Sequence, residues 1–115
     1  MGKYDMVTAT AFREAYSAGK MTALSYAQAC LQEIERSDGQ IQAWEHLVPD
    51  AVRQIAEQAD AGPAADNMKP LQGVPVGIKD IIDTYDAPCK WGLAELPGRQ
   101  PAADATLVTS LRRAG

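Results

Sequence analysis

The sequence predicts an α/β fold, and three observations carry that prediction. Ala27, Cys30, Leu31 and Ile34 fall at i, i+3, i+4 and i+7, the spacing of one helix face. Val74, Val76 and Ile78 alternate inside Leu71–Asp83, the spacing of one strand face. A second helical stripe, Leu107, Val108 and Leu111, follows a long segment punctuated by Pro and Gly. Helices that flank an alternating apolar run are the pattern of layered α/β chains.

The elements follow in order. Thr8 or Thr10 caps a short helix that runs to about Ala18 and stops at Gly19. Thr22 caps the next, over residues 23–36, which Ser37-Asp38-Gly39 should end. Ser25 and Gln28 offer a capping box if that helix starts later. Ile41, Ala43 and Glu45 alternate against Gln42, Trp44 and His46, so residues 41–48 are expected to form a strand. Pro49-Asp50 opens a third helix with Val52, Ile55, Ala56 and Ala59 on its apolar face, and Gly62-Pro63 closes it. Residues 63–70 read as a polar loop. A strand over Val74–Lys79 comes next, then a turn near Asp80 and a short extended piece at Ile81-Ile82. Residues 84–103 form a long irregular segment, and Trp91 and Leu93 within it want cover. The last helix is expected to start at Asp104 as N-cap, with Arg112 and Arg113 at the negative end of its dipole and Gly115 as terminator. The organisation is one domain: 1–62 mainly helical with one strand, 63–70 loop, 71–115 strand, loop and helix.

Composition narrows the function. The chain has 115 residues, 46% of them hydrophobic, enough for one small globular domain. Its net charge of −4 disfavours nucleic acid or an anionic membrane as a direct partner. The acidic excess lies in residues 1–70, with 10 Asp and Glu against 6 Lys and Arg; residues 71–115 are balanced at 5 against 5. Cys30 and Cys89 follow no metal or redox spacing, and Cys30 reads as a core residue. No apolar run reaches the roughly 18 residues of a membrane span, the N-terminus lacks a signal-peptide core, and Met6 breaks a myristoylation pattern at Gly2. The expected setting is cytoplasmic and reducing.

Few residues qualify for chemistry. The motifs of serine-elbow hydrolases, zinc proteases, phosphate-binding loops and dinucleotide folds are missing from the sequence. His46, the single histidine, reads as a partly exposed strand residue beside Trp44, and Asp80, Asp83 and Asp86 as turn carboxylates, too few for a metal site. Lys79 admits two readings. At the end of an apolar strand its pKa, ordinarily about 10.4, could fall far enough for a general base, and Gly77 clears space on the same face. The commoner outcome for such a lysine is a solvated side chain or a salt bridge to Asp80 or Asp83.

Gly73-Val74-Pro75-Val76-Gly77-Ile78-Lys79-Asp80-Ile81-Ile82-Asp83 resembles the lysine motif of the amidase signature family. Pro88-Cys89-Lys90-Trp91-Gly92 resembles the loop that follows the motif in that family. Pro101-Ala102-Ala103-Asp104-Ala105, Val108, Leu111-Arg112 and Ala114-Gly115 resemble the helix after the loop. The likeness is tight over 71–115 and looser over the N-terminal helices.

The resemblance implies the N-terminal part of a mixed-sheet α/β/α sandwich and a Ser–cis-Ser–Lys amide hydrolase, one of the Ser-Lys variants of triad chemistry. By it, Lys79 is the catalytic base, no metal or organic cofactor is needed, and the substrate is a small amide. An amidase subunit of a tRNA-dependent amidotransferase is the alternative within the family; a non-catalytic accessory or truncated protein is the alternative outside it. Homo-oligomerisation stays open. Two departures stand out: Leu93 follows Gly92 where the family usually has Ser, and Tyr85-Asp86-Ala87 precedes Pro88 where it often has a small residue and Gly. None of Ser17, Ser25, Ser37 and Ser110 matches the family's serines. A chain with the base alone, without nucleophile or oxyanion hole, is expected not to hydrolyse amides.

Overall fold

The computed structural model describes residues 7–115. Helix α1 spans Ala9–Ser17, α2 Ala23–Ile41, α3 Pro49–Asp60 and α4 Thr106–Ala114, with a single 3-10 turn at Ala65–Asn67 between α3 and α4. The first three helices make the core. Phe12 of α1, Ala23 and Ala27 of α2 and Ala56 of α3 are buried together, and Val74 of the lysine segment packs against them. Phe12 stacks on Tyr16 and Tyr26 with centroids 5.4 and 5.0 Å apart. Small alanines at the contacts let α2 and α3 lie directly against one another.

The caps explain where the helices start. Thr8 accepts the Ala11 N–H at 3.1 Å and begins α1. Thr22 and Ser25 form a reciprocal capping box at the head of α2. The same end is held from outside, because the Asp60 carboxylate accepts the N–H groups of Ala23 at 2.7 Å and Leu24 at 3.0 Å. A carboxylate on the first-turn amides also meets the positive end of the helix dipole.

Helix α2 does not stop at Ser37. It runs through Ser37, Asp38 and Gly39 to Ile41 and ends at Gln42, whose φ of 54° is left-handed. Two of the three stop signals, Ser37 and Asp38, are absorbed by hydrogen bonds. Ser37 Oγ donates to the Glu33 carbonyl one turn back, at 2.7 Å. The Asp38 carbonyl accepts the Gln42 N–H, and its carboxylate accepts the Ala43 N–H at 2.7 Å. The expected strand at 41–48 therefore does not form: Ile41 is helical and residues 42–48 have no ladder partner.

Residues 74–79 have no regular secondary structure, and there is no strand among the described residues. A strand is defined by a neighbour about 4.8 Å away that accepts and donates its backbone bonds, and no such neighbour lies beside 74–79 among the described residues. The sequence pattern of a two-faced strand persists: Val74 packs on the core and Val76 is 53% exposed.

Residues 84–103 are irregular, as expected, whereas the short extended piece expected at Ile81-Ile82 does not form because both residues lie in the turn and bend after Lys79; the whole segment is braced from within. Trp91 N–H donates to the Asp80 carbonyl at 2.9 Å, Cys89 N–H to Arg99 at 2.9 Å and Ala105 N–H to Asp83 at 2.9 Å. Asp104 is not the N-cap of α4; Ala105 is, with no side-chain cap. Asp104 instead accepts the Tyr85 N–H at 2.9 Å and Arg112 Nε at 2.8 Å. Of the expected stripe on α4 only Val108 is buried, and Leu107 is 52% exposed. Leu71 N–H donates to the Ala114 carbonyl at 2.8 Å, which brings the end of α4 back to the start of the lysine segment.

Candidate active site

The lysine segment is anchored at its start. Gln72 is buried, and its amide donates to the carbonyls of Ala59 and Pro63 at 3.0 and 3.1 Å while accepting the Lys69 N–H. Gly73 has a φ of 78°, and a Cβ there would lie 2.9 Å from the Cβ of Ala23, so the crossing over α2 requires glycine. Further on, a Cβ on Gly77 would lie 3.2 Å from the Trp44 ring. The space that Gly77 leaves is thus occupied by Trp44.

Lys79 follows. It is exposed, and among the described residues it makes no ion pair. Its carbonyl accepts the Ile82 N–H at 2.9 Å, closing a turn over Asp80 and Ile81. Neither nearby carboxylate goes to it. Asp80 accepts the N–H groups of Lys90 at 3.1 Å and Gly92 at 3.4 Å, and its carbonyl also accepts the Cys89 thiol at 3.5 Å. Asp83 is held by two bonds from Arg99, at 2.7 and 3.0 Å. That guanidinium keeps the Asp83 carboxyl at about 2, well under its ordinary value. Asp86 pairs with Arg112 at 3.0 Å. The three carboxylates are turn braces with separate partners.

Arg99 was not evident in the sequence as a site residue, and it organises the loop. Besides Asp83 it donates to the Cys89 carbonyl at 3.1 Å and lies 4.5 Å over the ring of Trp91. Trp91 sits in the left-handed region, φ 58°, which is strained for a residue with a Cβ. The stacked guanidinium and the Asp80 contacts hold it there. Burial pushes the Cys89 thiol up, with the Asp83 carboxylate adding to the effect. Lys90 pairs with Glu45, which raises the lysine and links residues 42–48 to the loop. His46 is exposed and Cys30 is half-buried; neither approaches this cluster. Ser25 and Ser37 serve helix ends rather than Lys79.

An apolar cleft of about 310 Å³ runs between α1, α2 and the lysine segment, lined by Phe12, Tyr26, Leu31, Trp44 and Val76, and it reaches Gly77. A more open depression is lined by Ile81, Asp83, Trp91, Arg99 and Leu107. Lys79 lines neither. No group of three or more His, Cys, Asp or Glu suited to a metal converges among the described residues. No helix among them is long and apolar enough to cross a membrane.

This arrangement has close counterparts. A glutamyl-tRNA(Gln) amidotransferase subunit from Chloroflexus aggregans is 37% identical over 119 residues, covering 100% of this chain and 24% of that protein. The peptide amidase PAM, solved with the competitive inhibitor chymostatin, superposes with a TM-score of 0.85 at 30% identity, over 97% of this chain and 23% of its own. An inhibitor-bound structure of a vestigial protein complex, described as revealing the evolutionary origins of an s-triazine catabolic enzyme, gives a TM-score of 0.86 at 25% identity, over 95% and 24% of the two chains. The chain thus spans about a quarter of the length of the relatives it matches. The family model for amidases matches residues 25–115, from the first turns of α2 through the lysine segment to the end of α4, and the chain belongs to the amidase family.

Proposed function

We propose that these residues form the lysine-bearing part of an amide C–N hydrolase in which Lys79 is the general base of a Ser–cis-Ser–Lys triad. The observation that carries this reading is that Lys79 has no counterion among the described residues. Both carboxylates within four residues of it are engaged elsewhere, Asp80 on loop amides and Asp83 on Arg99. A lysine held in a local salt bridge would stay charged, whereas an unpaired one can lose its proton when covered. Family membership supplies the rest of the reading. The serines and the oxyanion hole would come from residues outside 1–115, and the polypeptide 1–115 alone would be inactive. In the assembled domain, residues 74–79 would gain ladder partners and become a strand of a mixed α/β/α sheet. The substrate would be a small amide, with no cofactor, and the two unpaired cysteines suit a reducing, cytoplasmic setting.

The test is Lys79→Ala in a chain that carries the whole amidase domain. The expected outcome is a loss of about 10³-fold or more in kcat, the scale of removing a triad member, with an unchanged far-UV spectrum and melting point. Hydrolysis within a few-fold of the parent would overturn the assignment.

One observation favours a second reading within the family. The amidotransferase relative matches over all of this chain at 37% identity. On that reading the amide cleaved is glutamine and the ammonia passes to a partner protein. Glutaminase activity that rises on adding the partner proteins and the charged tRNA would support it; equal activity on simple amides with no partner present would favour the free-standing amidase.

A further inference from the structure

The residue after Lys79 is bonded through every oxygen it has. The Asp80 carboxylate accepts the Lys90 N–H on Oδ1 at 3.1 Å and the Gly92 N–H on Oδ2 at 3.4 Å. The Asp80 carbonyl accepts the Trp91 N–H at 2.9 Å and the Cys89 thiol at 3.5 Å. Three consecutive backbone amides, those of Lys90, Trp91 and Gly92, therefore point at one residue. They do so because the chain turns there. Leu93 N–H donates to the Lys90 carbonyl at 3.0 Å, and Trp91 and Gly92 between them have φ of 58° and 71°. Positive φ at both central residues is the type I′ pattern, which favours Gly, Asn or Asp. Gly92 fits it, whereas Trp91 is strained. Successive amides turned to one side make a concavity suited to an anion, and Asp80 fills it.

We propose that Asp80 is a positioning residue: by filling the concavity at 90–92 it locks the backbone that carries Lys79 and so aims the lysine. This rests on the reading of Lys79 as the base. Among the described residues the Lys79 side chain makes no ion pair, so its direction is set by the backbone on either side of it. Before the lysine, Val74 packs on the core and Gly77 lies against the Trp44 ring. After it, the Lys79 carbonyl accepts the Ile82 N–H at 2.9 Å, and Asp80 inside that turn is tied to residues 89–92. Those residues are held in their turn. The Arg99 carbonyl accepts the Cys89 N–H, the Arg99 guanidinium donates to the Cys89 carbonyl, and Lys90 pairs with Glu45. The chemistry calls for a carboxylate. Its two oxygens reach two amides at once, and its charge strengthens both bonds. An Asn at this position has one acceptor oxygen and would turn N–H donors toward the other amide.

The experiment measures kcat and KM separately in the chain carrying the whole amidase domain, as ammonia release from glutamine or benzamide, whichever the parent hydrolyses faster. Asp80→Asn is expected to lower kcat by about 10- to 100-fold, the scale of a base displaced by a fraction of an ångström to one ångström, with KM within about twofold. Gly92→Val attacks the same clamp from the other side. A β-branched residue does not hold positive φ, and a Cβ there meets nothing within 4 Å, so the substitution acts on the backbone alone and leaves the Asp80 charge in place. It should give the same selective loss of kcat. Asp86→Asn, which frees a carboxylate of the same loop from Arg112, should leave kcat at the parent value. A merely structural brace would lower the melting temperature and leave kcat per folded molecule unchanged. Parent-like kcat in Asp80→Asn or in Gly92→Val overturns the proposal, and so does an equal loss in Asp86→Asn. If Asp80→Asn does not fold, Gly92→Val decides alone. Lys79→Ala is run alongside. Activity in that variant sinks the underlying assignment, whereas an inactive Lys79→Ala beside a parent-like Asp80→Asn sinks only the role of Asp80.

Discussion

Gly73 and Lys79 mark the two ends of the segment that carries the candidate site, and each has a local physical reason. Gly73 turns with positive φ where the backbone crosses the buried first residue of α2. Gly73→Ala would set a Cβ 2.9 Å from that of Ala23, a contact that must be relieved by moving backbone. The substitution is expected to cost about 2 kcal/mol, from left-handed strain plus overpacking, read as a lower denaturant midpoint at unchanged m-value. Lys79 presents the opposite case, a side chain that makes no ion pair among the described residues. The sequence placed it next to two aspartates and left a salt bridge open. Only three-dimensional placement shows both aspartates turned to other donors, because Arg99, 16 residues beyond Asp83, has no sequence relation to it.

At the scale of elements, the helices were legible wherever an apolar stripe coincided with a cap. Thr8, Thr22 and Pro49 mark the starts of α1, α2 and α3 as their residue types predict. The errors fall where one residue type serves two purposes. Ser37-Asp38-Gly39 reads as a breaker, yet Ser and Asp can equally bond the carbonyls and amides of a helix end, and here they lengthen α2 to Ile41. Asp104 reads as a cap and acts as a brace between Tyr85 and Arg112. The head of α2 shows the reverse: Asp60, 37 residues away from Ala23, supplies a cap that no local pattern announces. Asp60→Ala leaves two first-turn amides without their carboxylate and is expected to destabilise by about 1–2 kcal/mol, whereas Thr22→Ala should cost less because Asp60 remains. A double-mutant cycle on thermal unfolding checks that ordering. The loop 80–105 adds a pH dependence. The Asp83 carboxyl is lowered from 3.8 to about 2 by Arg99, so the stability it confers is full above about pH 4 and is lost as pH falls toward 2. Asp83→Asn should flatten that part of an acid-unfolding curve.

At the scale of the whole molecule, the described fold covers little of its own apolar surface. The accessible area is 8097 Å², against about 6100 Å² for a compact monomer of this mass. The radius of gyration is 15.2 Å, against about 13 Å for a compact domain of this length. The excess is apolar in part, with Val76, Ile81 and Leu107 more than half exposed around the lysine segment. Residues 74–79 add backbone groups with no ladder partner. A polypeptide of residues 1–115 alone is therefore expected to be marginally stable and to self-associate. Sedimentation and a thermal scan test this, and a cooperative, monomeric melt well above ambient temperature would contradict it.

The sequence by itself determined the helices of the N-terminal half, the irregular loop, the position of Lys79 and the kinship with the amidase family. Each of these is written in local periodicity, in side-chain caps or in a contiguous motif. Tertiary structure alone decided that 41–48 is no strand, that Asp60 caps α2, and that Arg99 pairs with Asp83. Those outcomes depend on groups 16 to 37 residues apart, or on a ladder partner that a single segment cannot supply. A sequence pattern can show that an extended run has two unlike faces, but pairing is a property of two segments, and only the assembled chain fixes it.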